Sequence, residues 1–160
     1  MSDWRKGVSL KEAASRAEVV VVATPGRPDH RVQRITITPG GGPPTEKYPD
    51  FGRVLYRYRV EEILWSEEAR GLPVAGKEIE IDSASWGYDF TVHKKRYLEG
   101  VNKITIHESY EPAGAAGEGA SDPRRILFLA RLGKGWSFVS DISAEPLAMR
   151  PAVEKLLASR

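Results

Sequence analysis

The chain has 160 residues, of which 41% are hydrophobic and 29% are charged, as expected of one soluble globular domain with its own core. Its 24 basic and 22 acidic side chains leave a net charge of only +2, without the basic excess typical of nucleic-acid-binding proteins. The absence of cysteine excludes disulfides, thiolate zinc sites, iron–sulfur clusters and cysteine nucleophiles.

No membrane segment is evident in the sequence. The first ten residues, MSDWRKGVSL, have neither an apolar core nor a cleavage-like site. The most apolar run, VVVVA at residues 19–23, is far too short to span a bilayer. We therefore expect a cytoplasmic protein that does not contact membranes, or an exported one if a leader has been removed.

The chain opens with a predicted helix over residues 9–17, followed directly by a strand. Ser9 and Glu12 form a capping box, in which a hydroxyl and a carboxylate satisfy free backbone N–H groups of the first turn. The next run, EVVVVATPG, contains four consecutive valines, which favour a strand buried on both faces. Pro25 and Gly26 are expected to end this strand.

Two alternating segments come next, RVQRITITPG and RVLYRYRVEEIL, separated by a predicted loop over residues 39–50. The second segment mixes rings and cations, so it raises the question of nucleic-acid binding. In a strand, one face carries Val54, Tyr56, Tyr58 and Val60, and the other carries Arg53, Leu55, Arg57, Arg59 and Glu61. A surface for single strands needs exposed rings beside its cations. We therefore interpret the segment as a sheet strand with its tyrosines inside and its arginines in water.

The remaining segments predict a chain made mainly of strands. GKEIEID and VNKITIHESY alternate as strands, HKKRYLEG is compatible with a short helix, and PAGAAGEGASDP is a loop of small residues. ILFLARLGKGWSFV is a hairpin that turns at GKG, and a last helix spans residues 151–159, with Pro151 at its start.

Residues 1–160 are thus expected to form a single domain, mainly β with flanking helices. The strands, six or seven in number, are joined by turns rather than by regular crossover helices. This arrangement favours an antiparallel barrel or strongly curved sheet over residues 18–140.

The order of these elements resembles that of a known family. SLKEAASRA leads into EVVVVATPG, and YRYRVEEILW, GKEIEID and ILFLARLGKGWSFV follow. Over residues 9–140 the chain is similar to small bacterial domains related to the netrin module and the tissue inhibitors of metalloproteinases. The resemblance implies an OB-type barrel of five to seven antiparallel strands that binds other molecules. Those inhibitors chelate the protease zinc through an N-terminal cysteine, and because this chain has no cysteine, that chemistry is not expected here.

One segment stands out as a candidate contact surface. In SASWGYDF three aromatic residues alternate with small or polar ones, and the densest basic cluster, HKKR, follows. If the segment is extended, the three rings share one face, either as a partner-binding surface or as a plug for the barrel end. The candidate partner-binding residues are Trp86, Tyr88, Phe90, Lys94, Lys95 and Arg96.

No pattern in the sequence predicts catalysis or a cofactor. His30, His93 and His107 lie far apart, without metal-ligand spacing, and the nucleophile-elbow and phosphate-loop motifs are missing. The leading hypothesis is a non-catalytic domain that binds another protein, as a regulator, an inhibitor or an immunity-type protein. One alternative is an OB domain that binds single-stranded nucleic acid through Arg57 and Arg59, together with the HKKR segment. The other is an enzyme with a dispersed site.

Overall fold

The computed structural model describes residues 9–39, 49–98, 104–112, 122–140 and 143–160. Its seven strands are β1 (Val19–Pro39), β2 (Phe51–Ser66), β3 (Glu78–Asp82), β4 (Ile104–Pro112), β5 (Arg125–Leu132), β6 (Gly135–Phe138) and β7 (Ala144–Pro146). Its helices are α1 (Leu10–Arg16), α2 (Trp86–Leu98) and α3 (Arg150–Ala158), with a 3₁₀ turn at Leu147–Met149. The chain is therefore mainly β, as predicted.

The two terminal helices lie where the sequence predicted them. The N–H of Glu12 donates to Ser9 Oγ at 3.2 Å, which is half of the expected capping box. Pro151 stands in the first turn of α3. The apolar faces of the two helices pack on the valines of β1 that face them, and Val153 of α3 is fully buried there. Burial of this apolar face holds the short helices on the sheet.

β1 does not end at Pro25 and Gly26, contrary to the sequence-based expectation. Pro25 is opposite Tyr58 of β2, and the next paired residue, His30, is opposite Tyr56. The residues between Pro25 and His30 form an irregular bulge, after which β1 continues in the same direction as far as Pro39. A proline removes one ladder hydrogen bond and a bulge takes up extra residues, but neither reverses the chain.

The sheet is mixed, which corrects the prediction of a wholly antiparallel one. Its strand order is β4-β1-β2-β3-β6-β5-β7, with a further pairing of β1 and β5. The pairings β1–β2, β2–β3, β3–β6, β6–β5 and β5–β1 follow one another around a partial ring. β3 and β6 run parallel, through Ile81 opposite Trp136 and Asp82 opposite Ser137. Parallel strands need a long connection, and α2 and β4 lie between β3 and the β5–β6 hairpin in the chain.

The first part of β1 is buried on both faces, as its run of valines predicted. Val20 and Val22 face the cluster under α1 and α3, whereas Val19 and Val21 face the cluster inside the ring. The inner cluster also contains Val60, Ile81, Leu127, Leu129 and Phe138. This buried segment is paired with β2 on one side and with β5 on the other.

α2 is a single helix, where the sequence predicted an extended aromatic segment followed by a short helix. The N–H of Asp89 donates to the Ser85 carbonyl, and Thr91 Oγ1 donates to the Gly87 carbonyl. The alternation of large and small residues lasts only five positions, too short to outweigh helical hydrogen bonding along the whole segment. The expected end of this helix at Gly100 lies outside the described residues.

The last third of the chain largely follows its prediction. β5 and β6 form the expected hairpin, and Gly133 in its turn has a φ of 59°, which favours glycine. The short strand β7 and the 3₁₀ turn after it were not predicted. The predicted loops fall largely at residues 40–48 and 113–121, outside the described residues. No helix in the described part of the chain is long and apolar enough to cross a membrane.

Candidate functional site

The tyrosines of β2 face the interior of the ring, as predicted. The ring of Tyr56 lies 5.7 Å from that of Phe138, and the ring of Tyr58 lies 6.5 Å from it. Both tyrosines pack against the inner cluster. Burial raises the pKa of the Tyr58 hydroxyl above its ordinary value. The tyrosines are therefore part of the core and do not form a stacking surface beside the arginines.

The opposite face of β1, β2 and β3 carries three arginine–carboxylate pairs. Arg31 pairs with Glu80, Arg53 with Asp82 and Arg57 with Glu78. In each pair the arginine comes from β1 or β2 and the carboxylate from β3. Each pair neutralises its own charge, so these cations do not form a continuous basic track. We call this surface the arginine–carboxylate face.

Arg53 links this face to α2. Its guanidinium group donates to both carboxylate oxygens of Asp82 and, from Nη1, to Gln33 Oε1 at 3.0 Å. It also lies 4.1 Å from the centre of the Trp86 ring. Burial acts to lower the pKa of Arg53, but the hydrogen bonds and charge of Asp82 outweigh this effect and raise it. Arg53 and Trp86 are therefore held in fixed positions.

The network continues from Gln33 onto β4. Gln33 Nε2 donates to Glu108 at 2.6 Å and to the Tyr110 hydroxyl at 3.0 Å. The Arg31 guanidinium lies 4.1 Å from the centre of the Tyr110 ring. Polar side chains across four strands are thus satisfied mainly by one another, although Gln33 and Asp82 are buried.

Two cavities open on either side of Arg53 and Trp86. The first has a volume of about 600 Å³ and is lined by Phe51, Gly52, Arg53, Val54, Tyr56, Ser83, Ser85, Trp86 and Asp89. The second has a volume of about 510 Å³ and is lined by Arg31, Arg53, Leu55, Glu80, Asp82, Trp86, Tyr110, Leu132, Gly133, Gly135 and Trp136. Both volumes are within the range of small-ligand or peptide sites.

α2 has one face toward the sheet and one toward solvent. Phe90 lies 5.2 Å from the Phe51 ring and 6.2 Å from the Trp86 ring, and His93 also contacts Phe51, at 5.4 Å. On the other side Tyr88 is 51% exposed and Val92 is 45% exposed. We call Tyr88, Val92, Lys95 and Arg96, all exposed and close together at helical spacing, the α2 outer face.

The structure divides the predicted partner-binding residues into two groups. Trp86 and Phe90 face the sheet and Tyr88 faces solvent, so the expectation that the three rings share one face is wrong. A helix turns about 100° per residue, which places residues two apart on opposite sides. Lys94 covers the Phe90 ring at 4.8 Å, while Lys95 and Arg96 project outward. Whether these residues bind a partner stays a prediction.

Several residues of these sites were not singled out from the sequence. Val92 was missed because its exposure becomes evident only once α2 is known to be helical. Asp82 and Glu80 alternate with isoleucines in the sequence, which placed them on a polar face, but only the register of β2 and β3 brings them to Arg53 and Arg31.

The histidines have separate environments. His30 contacts Asp29 at 2.7 Å, His93 contacts the Pro49 carbonyl at 2.9 Å, and His107 contacts Thr38 at 3.3 Å. Within the described ranges, no three His, Asp or Glu side chains are grouped so that they could hold a metal ion. The arrangement as a whole offers surfaces and cavities for binding.

Comparison of the chain with protein-family models, with curated proteins and with solved structures found no match.

Proposed function

We propose that this chain is a non-catalytic binding domain of OB type, related to the netrin module, that recognises another protein. The architecture is supported by five strands that pair one after another around a partial ring, with a helix between the third and the fourth of them. An OB-fold is a five-stranded, partly open Greek-key barrel used mainly for binding. The resemblance seen in the sequence leads to the same class.

The observation that carries the proposal is the composition of the α2 outer face. Two large apolar side chains, Tyr88 and Val92, are about half exposed there, next to Lys95 and Arg96. Neither cation forms an ion pair with a carboxylate in the described part of the chain. An exposed apolar pair beside exposed cations is typical of a surface that contacts a partner.

This surface also indicates the charge of the partner. Lys95 and Arg96 favour a protein segment with acidic side chains, and Tyr88 and Val92 favour an apolar residue between them. Tyrosine and arginine are among the residues that contribute most to binding energy when an interface buries them. We therefore expect an acidic partner segment with at least one apolar anchor.

Binding of single-stranded nucleic acid is the alternative, and the sheet supports it less. Arg57 pairs with Glu78 at 3.3 Å, although Arg59 is exposed. The tyrosines of the same strand pack inside the ring. Phosphate binding at this surface would have to compete with the protein's own carboxylates.

The test is affinity capture from a lysate of the protein's own cells. Three forms serve as bait: the wild type, a triple variant (Tyr88→Ala, Val92→Ser, Lys95→Glu), and the control Val74→Ser, which changes a valine that is 61% exposed but distant in sequence from α2. Thermal unfolding of each form establishes that it is folded. We expect one stoichiometric protein with the wild type and the control, and its loss with the triple variant.

Two results would contradict the proposal. One is a partner that the triple variant retains in full. The other is recovery of nucleic acid whose affinity falls steeply with salt and is lost in the variant with both Arg57→Ala and Arg59→Ala.

A further inference from the structure

β2 is left without a neighbour along part of one edge. On its β1 side, β2 is paired from Phe51 to Ser66, but on its β3 side the pairing begins only at Leu55, opposite Asp82. After Asp82 the chain turns away from β2 and enters α2. Residues 51–54 therefore have no strand beside them on the β3 side within the described ranges.

The alternation of backbone groups along β2 shows which N–H and C=O groups point to this edge. Val60 donates its N–H to the Lys77 carbonyl and accepts from the N–H of Gly76, so its backbone groups point to the β3 side. Backbone groups along a strand alternate between its two edges. The N–H and C=O groups of Gly52 and Val54 therefore also point to the β3 side, where no described residue bonds to them.

The first cavity lies at this free edge. Its lining includes Gly52 and Val54 on one side and Ser83, Ser85 and Trp86 on the other. The cavity of about 600 Å³ is the gap that opens where β3 leaves β2. An unpaired strand edge presents a row of N–H and C=O groups that can pair with another chain, so an edge that lines a cavity favours a ligand that can bond to them.

We propose that this gap accepts an extended segment of a partner protein, which adds to the sheet beside β2 in line with β3. The segment exchanges backbone hydrogen bonds with Gly52 and Val54, as in other cases of strand addition. Its side chains alternate between two environments. Those facing the inside of the ring meet Val54 and Tyr56, which favour a β-branched or apolar residue, and those on the other face meet Arg53 and Trp86.

The shape of the gap favours a flexible segment over a second folded copy of this chain. The segment from Ser83 to Trp86 stands opposite the free edge, so the edge is recessed. The corresponding edge of another copy would be recessed in the same way, and two recessed edges cannot meet. An extended chain is thin enough to enter.

The first test uses amide hydrogen exchange of the free protein, followed by NMR. We expect the amides of Gly52 and Val54 to exchange much faster than those of Arg53 and Leu55, which face β1. Slow exchange at Gly52 and Val54 would overturn the proposal, because the edge would then already be filled, for example by residues 40–48 of the same chain.

The second test uses a library of random heptapeptides displayed on phage as the probe. We expect enrichment of peptides with alternating β-branched residues, and a loss of affinity of roughly tenfold for them on Val54→Pro, which removes one donor. Proline is tolerated at a strand edge whose N–H is unpaired, so this variant should still fold. The variant Tyr88→Ala, on the α2 outer face, should leave peptide affinity unchanged, which separates this proposal from the proposed function.

N-methylation of alternate peptide residues provides a measurement that does not depend on the folding of a variant. Methylation in one phase should abolish binding, and methylation in the other phase should not, because only one phase donates to β2. Failure to enrich any peptide, or enriched peptides that are insensitive to both Val54→Pro and N-methylation, would overturn the proposal.

Discussion

The pair formed by Asp82 and Arg53 links the end of β3 to the start of α2. Asp82 is the last residue of β3, and its side chain is only 6% exposed. Its carboxylate binds the Arg53 guanidinium, which in turn contacts Trp86 at the start of α2. A buried carboxylate is stable only when its charge is matched and its lone pairs are used. The point at which β3 ends and α2 begins therefore depends on this pair.

The substitution Asp82→Asn should be strongly destabilising. The amide group of the new side chain would place N–H donors against the donors of Arg53, and the guanidinium would lose its counter-charge. We expect the free energy of unfolding to fall by about 2 kcal/mol. Urea denaturation monitored by tryptophan fluorescence measures it. Asp122→Asn is the matched control, since Asp122 also pairs with an arginine, Arg124, but at the surface. An equal loss in the two variants would contradict the structural role of Asp82.

The raised pKa of the Tyr58 hydroxyl leads us to expect that the free energy of unfolding falls at alkaline pH. Burial raises the pKa of its hydroxyl in the folded protein, so the folded state holds this proton more tightly than the unfolded chain does. The resulting stability is fully present below about pH 10, the ordinary tyrosine pKa, and is lost as the pH rises through the folded-state value.

The free energy of unfolding is measured between about pH 8 and pH 11, a range that includes the ordinary tyrosine pKa of about 10. We expect Tyr58→Phe to weaken the alkaline decrease, because it removes the proton that the folded state retains. A decrease unchanged by Tyr58→Phe would show that this hydroxyl does not titrate differently on folding.

At the scale of elements, the continuation of β1 past Pro25 and the helical state of α2 are two of the features that the sequence did not predict. Gly26 lies in the bulge, close against β2, and a Cβ at this position would stand 3.2 Å from Arg57 Cβ and 3.3 Å from the Arg57 carbonyl oxygen. Gly87 lies in the first turn of α2, and a Cβ there would meet no atom within 4 Å. A side chain at position 26 would therefore collide with its neighbours, whereas one at position 87 would not.

Alanine substitution at the two glycines should have opposite effects. Gly26→Ala must move the Glu78 carboxylate, whose Oε1 would lie 2.5 Å from the new Cβ, and displace β2 slightly, so we expect a loss of about 1 kcal/mol in the free energy of unfolding. Gly87→Ala reduces the conformational entropy that the backbone loses when the helix forms, so we expect the free energy of unfolding to rise by about 0.5 kcal/mol. Thermal and urea denaturation of both variants measure these changes. A destabilising Gly87→Ala would indicate that the segment is not helical from Trp86 onward.

At the scale of the whole molecule, the pairing around the ring is uneven. Residues 19–23 of β1 are buried and are paired with both β2 and β5. β3 meets β6 in a parallel contact that consists of two residue pairs. A segment with many buried apolar contacts requires more free energy to open than a contact between two strands that consists of few residue pairs.

Hydrogen exchange followed by mass spectrometry should reveal this difference. We expect the amides of residues 19–23 to exchange only through global unfolding, and those of residues 135–138 to exchange through a smaller opening of the β3–β6 seam. Rising urea concentrations should accelerate exchange of the first group much more than of the second, because global unfolding exposes more surface. Equal dependence on urea would show that the ring opens as one unit.

Features that depend on neighbouring residues were predictable from the sequence. The capped helix at Ser9, the doubly buried valines, the inward tyrosines of β2 and the hairpin with a glycine at its turn all follow from local periodicity, capping and turn chemistry. Each of these signals acts over a few residues and competes with no other strong local preference. They established a mainly β chain with helices near both ends of its sequence.

The tertiary structure decided what depends on register and on long-range contacts. The continuation of β1 past Pro25, the parallel pairing of β3 with β6 and the pairing of Arg53 with Asp82 each require partners from distant segments. The helical state of the segment from Trp86 likewise depends on its packing against the sheet. A local pattern sets which face of a strand is polar, but not which strand lies beside it. That choice is made by the packing of the whole chain, because only there do the burial and the hydrogen bonds of distant residues act together.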